Sequence, residues 1–124
     1  MLNGDVFLAE NAVVEKSFSF AIRIVKLYRY LTKHEKEFVL SKQLLRCGTS
    51  IGANISEAQR GQSKADFHAK MTIALKEANE TLYWIQLLYK TDYMTEKQYT
   101  SILADIEELL RILTAICKSS VSEK

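Results

Sequence analysis

Five cations share one side of what reads as a helix: Lys16, Arg23, Lys26, Arg29 and Lys33. At 3.6 residues per turn Lys16 and Arg23 are nearly in line, and the other three fan out beside them. All five fall within an arc of about 140 degrees. Lysine and arginine set in a row bind phosphate backbones, and release of condensed counterions makes that binding salt-dependent. Tyr30 lies inside the same arc and offers a face on which a base can stack. Lys42 and Arg46 extend the set. Over residues 16–46 eight basic side chains face two acidic ones, in a chain whose net charge is only +2. Phosphate contacts of this kind position a nucleic acid and do not read its sequence. On a single copy the same stripe is also what a solvated helix face looks like. An assembly that presents several copies together turns it into a belt with a strong field.

Other chemistry is thinly represented. Glu77 and Glu80 stand one turn apart. Paired carboxylates do acid–base work when burial separates their pKa values. No nucleophile, second acid pair or glycine-rich phosphate loop accompanies these two. Their plainer role is to pair with a basic residue on a neighbouring helix or subunit. A di-iron bundle needs Glu-x-x-His on two helices, and no glutamate here has a histidine three positions later. His34 and His68 sit near helix ends and read as surface residues. Cys47 and Cys117 belong to no Cys-x-x-Cys pair and fall on apolar faces, as small buried hydrophobes do. No catalytic residue, metal ligand or cofactor is expected, and the chain reads as a non-enzyme.

The elements that must position the cations are helices. The chain has 124 residues with no proline and four glycines, a composition that favours long uninterrupted helices. A first helix is expected from about Asn11 to Lys33, with Ala21, Ile24, Leu27, Tyr28 and Leu31 facing the core. The charged break His34–Glu37 leads to a second, from about Phe38 to Ala58. Its apolar positions Leu40, Leu44, Cys47, Ile51, Ile55 and Ala58 keep one face. Gly48 and Gly52 sit one turn apart in it. Each costs a helix about 1 kcal/mol relative to alanine, so another backbone is expected to come very close there. Ser63 and Asp66 form a near capping box at the start of a third helix, which is expected to end at Lys90. Thr95 and Gln98 form another before a fourth, which reaches about Lys118. The pattern predicts an up-down-up-down four-helix bundle.

One domain is expected, with residues 1–10 as a lead-in, 11–118 as the bundle and 119–124 as a frayed tail. No apolar run approaches the ~20 residues of a membrane span, and the N-terminus lacks a signal-peptide pattern, so a cytoplasmic protein is expected. The third helix carries a second seam, Ile73, Glu77, Glu80, Trp84 and Leu87. Large side chains on both of its sides point to a homo-oligomer in which this seam meets another copy.

The stretch from Arg46 to Ala58, RCGTSIGANISEA, resembles the signature of the four-helix-bundle proteins encoded in intervening sequences of bacterial 23S ribosomal RNA genes. Their pattern is roughly R-x-x-x-S-I-x-x-N-I-x-E-[GA], matched by Arg46, Ser50, Ile51, Asn54, Ile55, Glu57 and Ala58. Asp66-Phe67 and the run from Ile73 to Thr81 match as well, and the likeness extends from about Lys16 through the fourth helix. Many relatives carry a proline in the first connection, where this chain has His34-Glu35-Lys36. The resemblance implies a homopentameric bundle with a central channel and no established activity. It implies nucleic-acid binding as a candidate role, since the related accessory proteins of diversity-generating retroelements are basic pentamers that work with a reverse transcriptase. The motif residues are expected to be structural. Two functions stand side by side: a non-enzymatic assembly that binds RNA or DNA through the first helix, and a scaffold whose assembled ring docks a protein partner.

Overall fold

A computed structural model describes the backbone of residues 2–122 and the side chains of residues 11–121. Four helices make up the described chain, which contains no strand: α1 (Leu2–Lys33), α2 (Leu40–Ala58), α3 (Lys64–Lys90) and α4 (Glu96–Ser122). They pack as a bundle in which α1 touches α2 and α4, and α3 touches α2 and α4. The core is a column of aliphatic side chains in which Ile24, Leu44, Ile51, Ile55, Ile85, Ile106 and Leu113 are wholly buried. Val13 and Phe20 carry the α1 core face further towards the start of the helix than the Ala21–Leu31 set indicated.

Both termini differ from the sequence reading. The first helix begins at Leu2, not near Asn11, so the expected lead-in is helical from residue 2. Nothing between Leu2 and Asn11 stops a helix except Gly4, and a lone glycine costs only about 1 kcal/mol. The fourth helix runs on to Ser122 where a frayed tail was expected. Ser120 is buried, and its Oγ lies 2.5 Å from His68 Nδ1 on α3, which ties this last turn to the bundle. Met1, Glu123 and Lys124 lie outside the described residues.

The connections are set by local hydrogen bonds. Ser63 Oγ accepts from Asp66 N at 3.1 Å. Thr95 N donates to Gln98 Oε1 (2.9 Å) while Gln98 N donates to Thr95 Oγ1 (3.1 Å), a reciprocal capping box. In the first connection Lys36 takes φ 56°, a left-handed conformation that favours glycine. That turn aims the Glu37 carboxylate at the start of α2. It accepts from Val39 N (3.1 Å), Leu40 N (2.9 Å) and Ser41 N (2.6 Å), three donors that the helix leaves without partners. Burial alone raises the Glu37 pKa, but the bonds from Leu40, Ser41 and Val39 together outweigh it and hold the carboxyl below its ordinary 4.5.

A lowered folded-state pKa contributes stability above the unfolded value that is lost as pH falls through the folded one. Glu37→Gln is therefore expected to cost about 1–2 kcal/mol at pH 7, with a gap to the native chain that narrows below about pH 4.5. Urea denaturation at neutral and acid pH checks both parts. A gap that stays constant across that range would deny the carboxylate its capping role.

The two glycines of α2 meet different neighbours. A Cβ at Gly48 would come within 2.9 Å of both Cγ atoms of Ile24, and one at Gly52 within 3.3 Å of the Ser17 carbonyl oxygen. Only at Gly52 is the close neighbour the α1 backbone; at Gly48 it is the branched root of a core side chain.

Candidate nucleic-acid interface

The rotation of α1 in the bundle divides its cations into two groups. Lys16 and Arg23 turn towards α4. Lys16 Nζ lies 3.3 Å from Glu108, and Arg23 Nη1 lies 2.5 Å from Asp105 Oδ2. Arg23 also donates to Ser101, through Nη2 to the hydroxyl at 2.8 Å and through Nη1 to the carbonyl at 3.4 Å. These pairs are partly exposed, so their net contribution to stability is small, but they engage the charge. Lys26, Arg29 and Lys33 point outward, are exposed and have no carboxylate within ion-pair distance among the described residues. Lys42, in the first turn of α2, is also exposed and makes no ion pair among the described residues.

Arg46 is placed elsewhere. Its guanidinium spans to α3, with Nη1 3.4 Å from Glu77 Oε1 and Nη2 in contact with Glu80 Oε2. Trp84 Nε1 donates to the same Glu80 oxygen at 3.0 Å. The Trp84 N–H, followed by Arg46, holds the Glu80 carboxyl below its ordinary value. Glu77 and Glu80 thus have their basic partner within the chain. Of the α3 seam, only Ile73 is clearly exposed, while Trp84 and Leu87 are half-buried. The remaining motif residues are committed locally. Ser50 Oγ donates to Arg46 O (2.7 Å), Asn54 Nδ2 donates to Ser50 O (2.8 Å), Ile51 and Ile55 are core, and Glu57 pairs with Lys70 at 2.8 Å.

Beside the outward cations a cleft of about 360 Å³ opens between α1 and α4. Arg23 and Lys26 stand at its edge, Tyr30 and Gln98 contribute polar groups, and Leu27, Met94 and Ile102 line its walls. Tyr30 Oη donates to Glu35 Oε2 at 3.1 Å, and its ring lies 5.3 Å from that of His34. Gln98 uses Oε1 in the capping box, which leaves its amide nitrogen, a donor, without a protein partner among the described residues.

A second groove, of about 390 Å³, lies between α1 and α2. Gly52, Ala53 and Ala21 form its floor, with Val14 and Phe18 at the rim. Phe18 is 69% exposed and Ile22 next to it 44%. The sequence reading passed over these two residues. Their signal was the i, i+4, i+7 spacing of Phe18, Ile22 and Val25, an apolar stripe outside the assigned core face.

Elsewhere the chemistry is quiet. Burial raises the pKa of both thiols, Cys47 and Cys117, so both stay protonated at neutral pH. His68 is half-buried rather than on the surface. Its Nδ1 meets Ser120 and its Nε2 faces Thr72 Oγ1 at 3.4 Å. Ser120 Oγ in turn donates to Cys117 O at 3.1 Å, so this serine and histidine close a helix end, and no carboxylate among the described residues orients the ring. No group of three or more His, Cys, Asp or Glu side chains among the described residues converges on a metal position. No described helix is long and apolar enough to cross a membrane.

Residues 9–115 match the model of a family described as 23S rRNA-intervening sequence protein. Among solved structures, a crystal structure of a protein with unknown function from the S23 ribosomal protein family of Bacteroides thetaiotaomicron VPI-5482 is similar. It is 56% identical, with a TM-score of 0.87, over 89% of this chain and 98% of that one. No curated protein matches the chain.

Proposed function

Because the chain belongs to the 23S rRNA-intervening sequence protein family, we propose that it is a non-enzymatic, cytoplasmic, oligomeric bundle that binds RNA or DNA without sequence specificity. The binding groups are Lys26, Arg29 and Lys33 of α1, with Lys42 beside them. One observation carries this reading: three cations on successive turns of one helix are exposed and without an ion-pair partner among the described residues, while Lys16, Arg23 and Arg46 nearby are matched to carboxylates. A chain that needed charge only for solubility has no reason to segregate it in this way.

The proposed assembly is a ring of up-down-up-down bundles, a pentamer by the family likeness. The helix directions are supported by the order of the α1–α4 pairs, since Lys16 meets Glu108 while Arg23, further along α1, meets the earlier Asp105. The assembly is supported by the open α1–α2 groove with Phe18 at its rim and by the exposed Ile22 on the same helix, more apolar surface than a free helix face usually leaves in water. The same face favours a second reading, a scaffold on which a protein partner docks.

A gel-shift titration with mixed-sequence RNA and DNA at two salt concentrations tests the proposal. Complexes at low salt that weaken at high salt are expected. No shift even at low salt would leave the scaffold reading standing in its place.

A further inference from the structure

We propose that the strand bound by α1 is single-stranded, with one unpaired base entering the cleft between α1 and α4 beside Tyr30. This rests on the nucleic-acid reading above and adds to it the form of the ligand and the place where a base is held.

Lys26, Tyr30 and Lys33 occupy consecutive turns on nearly one line of α1, spaced roughly 4.5–6 Å along the axis at 1.5 Å per residue. A cation, an aromatic ring and a cation in that order suit a backbone that passes over the helix while one base turns inward. The cleft has the composition a base requires. Leu27, Met94 and Ile102 supply apolar walls for its faces. Gln98 supplies an amide nitrogen free to donate to a ring nitrogen or exocyclic oxygen. Arg23, fixed by Asp105 and Ser101, supplies a planar guanidinium at the edge. A phosphate alone would make no use of the apolar walls. A duplex keeps its bases in the stack, and extruding one carries an unstacking cost that a single strand largely avoids.

The experiment is a fluorescence-anisotropy titration of the native protein with an end-labelled single-stranded RNA and with the same sequence annealed to its complement. It is repeated with Tyr30→Leu and Tyr30→Phe. Tighter binding of the single strand is expected. Tyr30→Leu should weaken it about tenfold and leave the duplex unchanged, while Tyr30→Phe, which keeps the ring, stays near native. Should Tyr30→Leu misfold, photocrosslinking of the native protein to a 4-thiouridine-substituted strand serves instead, with the adduct expected in the peptide holding Tyr30 or Gln98. Equal affinity for single strand and duplex, an unaffected Tyr30→Leu, or adducts only on other faces overturns the inference while nucleic-acid binding stands. Absence of binding to either form overturns the nucleic-acid reading and this inference together.

Discussion

Replacing Lys26, Arg29 and Lys33 together by glutamine is expected to weaken RNA binding by a factor of about ten or more at moderate salt. It should also flatten the salt dependence by roughly two units of log–log slope, at ~0.7 per phosphate contact on a single strand. All three side chains are exposed and make no ion pair among the described residues, so the fold and its melting temperature should hardly move. The contrasting variant is Lys16→Gln with Arg23→Gln. Those cations already face Glu108 and Asp105, so their loss should change affinity much less. Arg23→Gln also removes the guanidinium at the edge of the proposed base cleft, so Lys16→Gln alone is the cleaner control. Equal losses per charge removed, from the outward triple and from Lys16→Gln, would mean that overall charge, and not the segregated patch, governs binding.

The largest stability effect is expected at the α1–α2 contact. Ile24 is wholly buried and lies where a Gly48 Cβ would fall, 2.9 Å from both of its Cγ atoms. Ile24→Ala should cost about 2–5 kcal/mol through lost burial and the cavity left behind. Gly48→Ala should cost about 1–2 kcal/mol, because overpacking of a branched side chain exceeds the roughly 1 kcal/mol that alanine gains over glycine in a helix. The two are coupled with a definite sign. With Ile24 already truncated, the Gly48 Cβ has room, and Gly48→Ala should become neutral or stabilising. A double-mutant cycle by chemical denaturation measures this directly. Strict additivity would mean that the contact between these residues is not what keeps position 48 a glycine.

Much of the scaffold was readable from spacing alone. The apolar face of α2, the two capping boxes at Ser63 and Thr95, and the stop at Lys90 are local features that the sequence states in full. The helix end at Ser122 was not readable, because local composition does not disclose the tie between Ser120 and His68 across 52 positions. The start at Leu2 was open to local reading, since only Gly4 interrupts the helical run before Asn11. The cations were half legible. A helical wheel placed Lys16, Arg23, Lys26, Arg29 and Lys33 in one arc. Which edge of that arc turns to α4 depends on the rotation of α1 about its axis, and only the packed bundle reveals it. Glu77 and Glu80 were expected to find a basic partner on a neighbouring helix or subunit. Arg46 is that partner within the chain, and this leaves Ile73 as the clearly exposed member of the α3 seam. The exposed Phe18 and Ile22 fall outside the core face assigned to α1, so the core spacing alone does not include them.

The claim beneath the rest is that the unpaired cations of several copies meet one polyanion together. The slope of the logarithm of the association constant against log salt for a single-stranded RNA, taken from about 50 to 300 mM, tests it most directly. Lys26, Arg29, Lys33 and Lys42 of one chain can release counterions equivalent to a slope of about −3 at most, so joint action predicts a steeper one. A slope of about −3 or shallower, or no complex at the lowest salt, contradicts it.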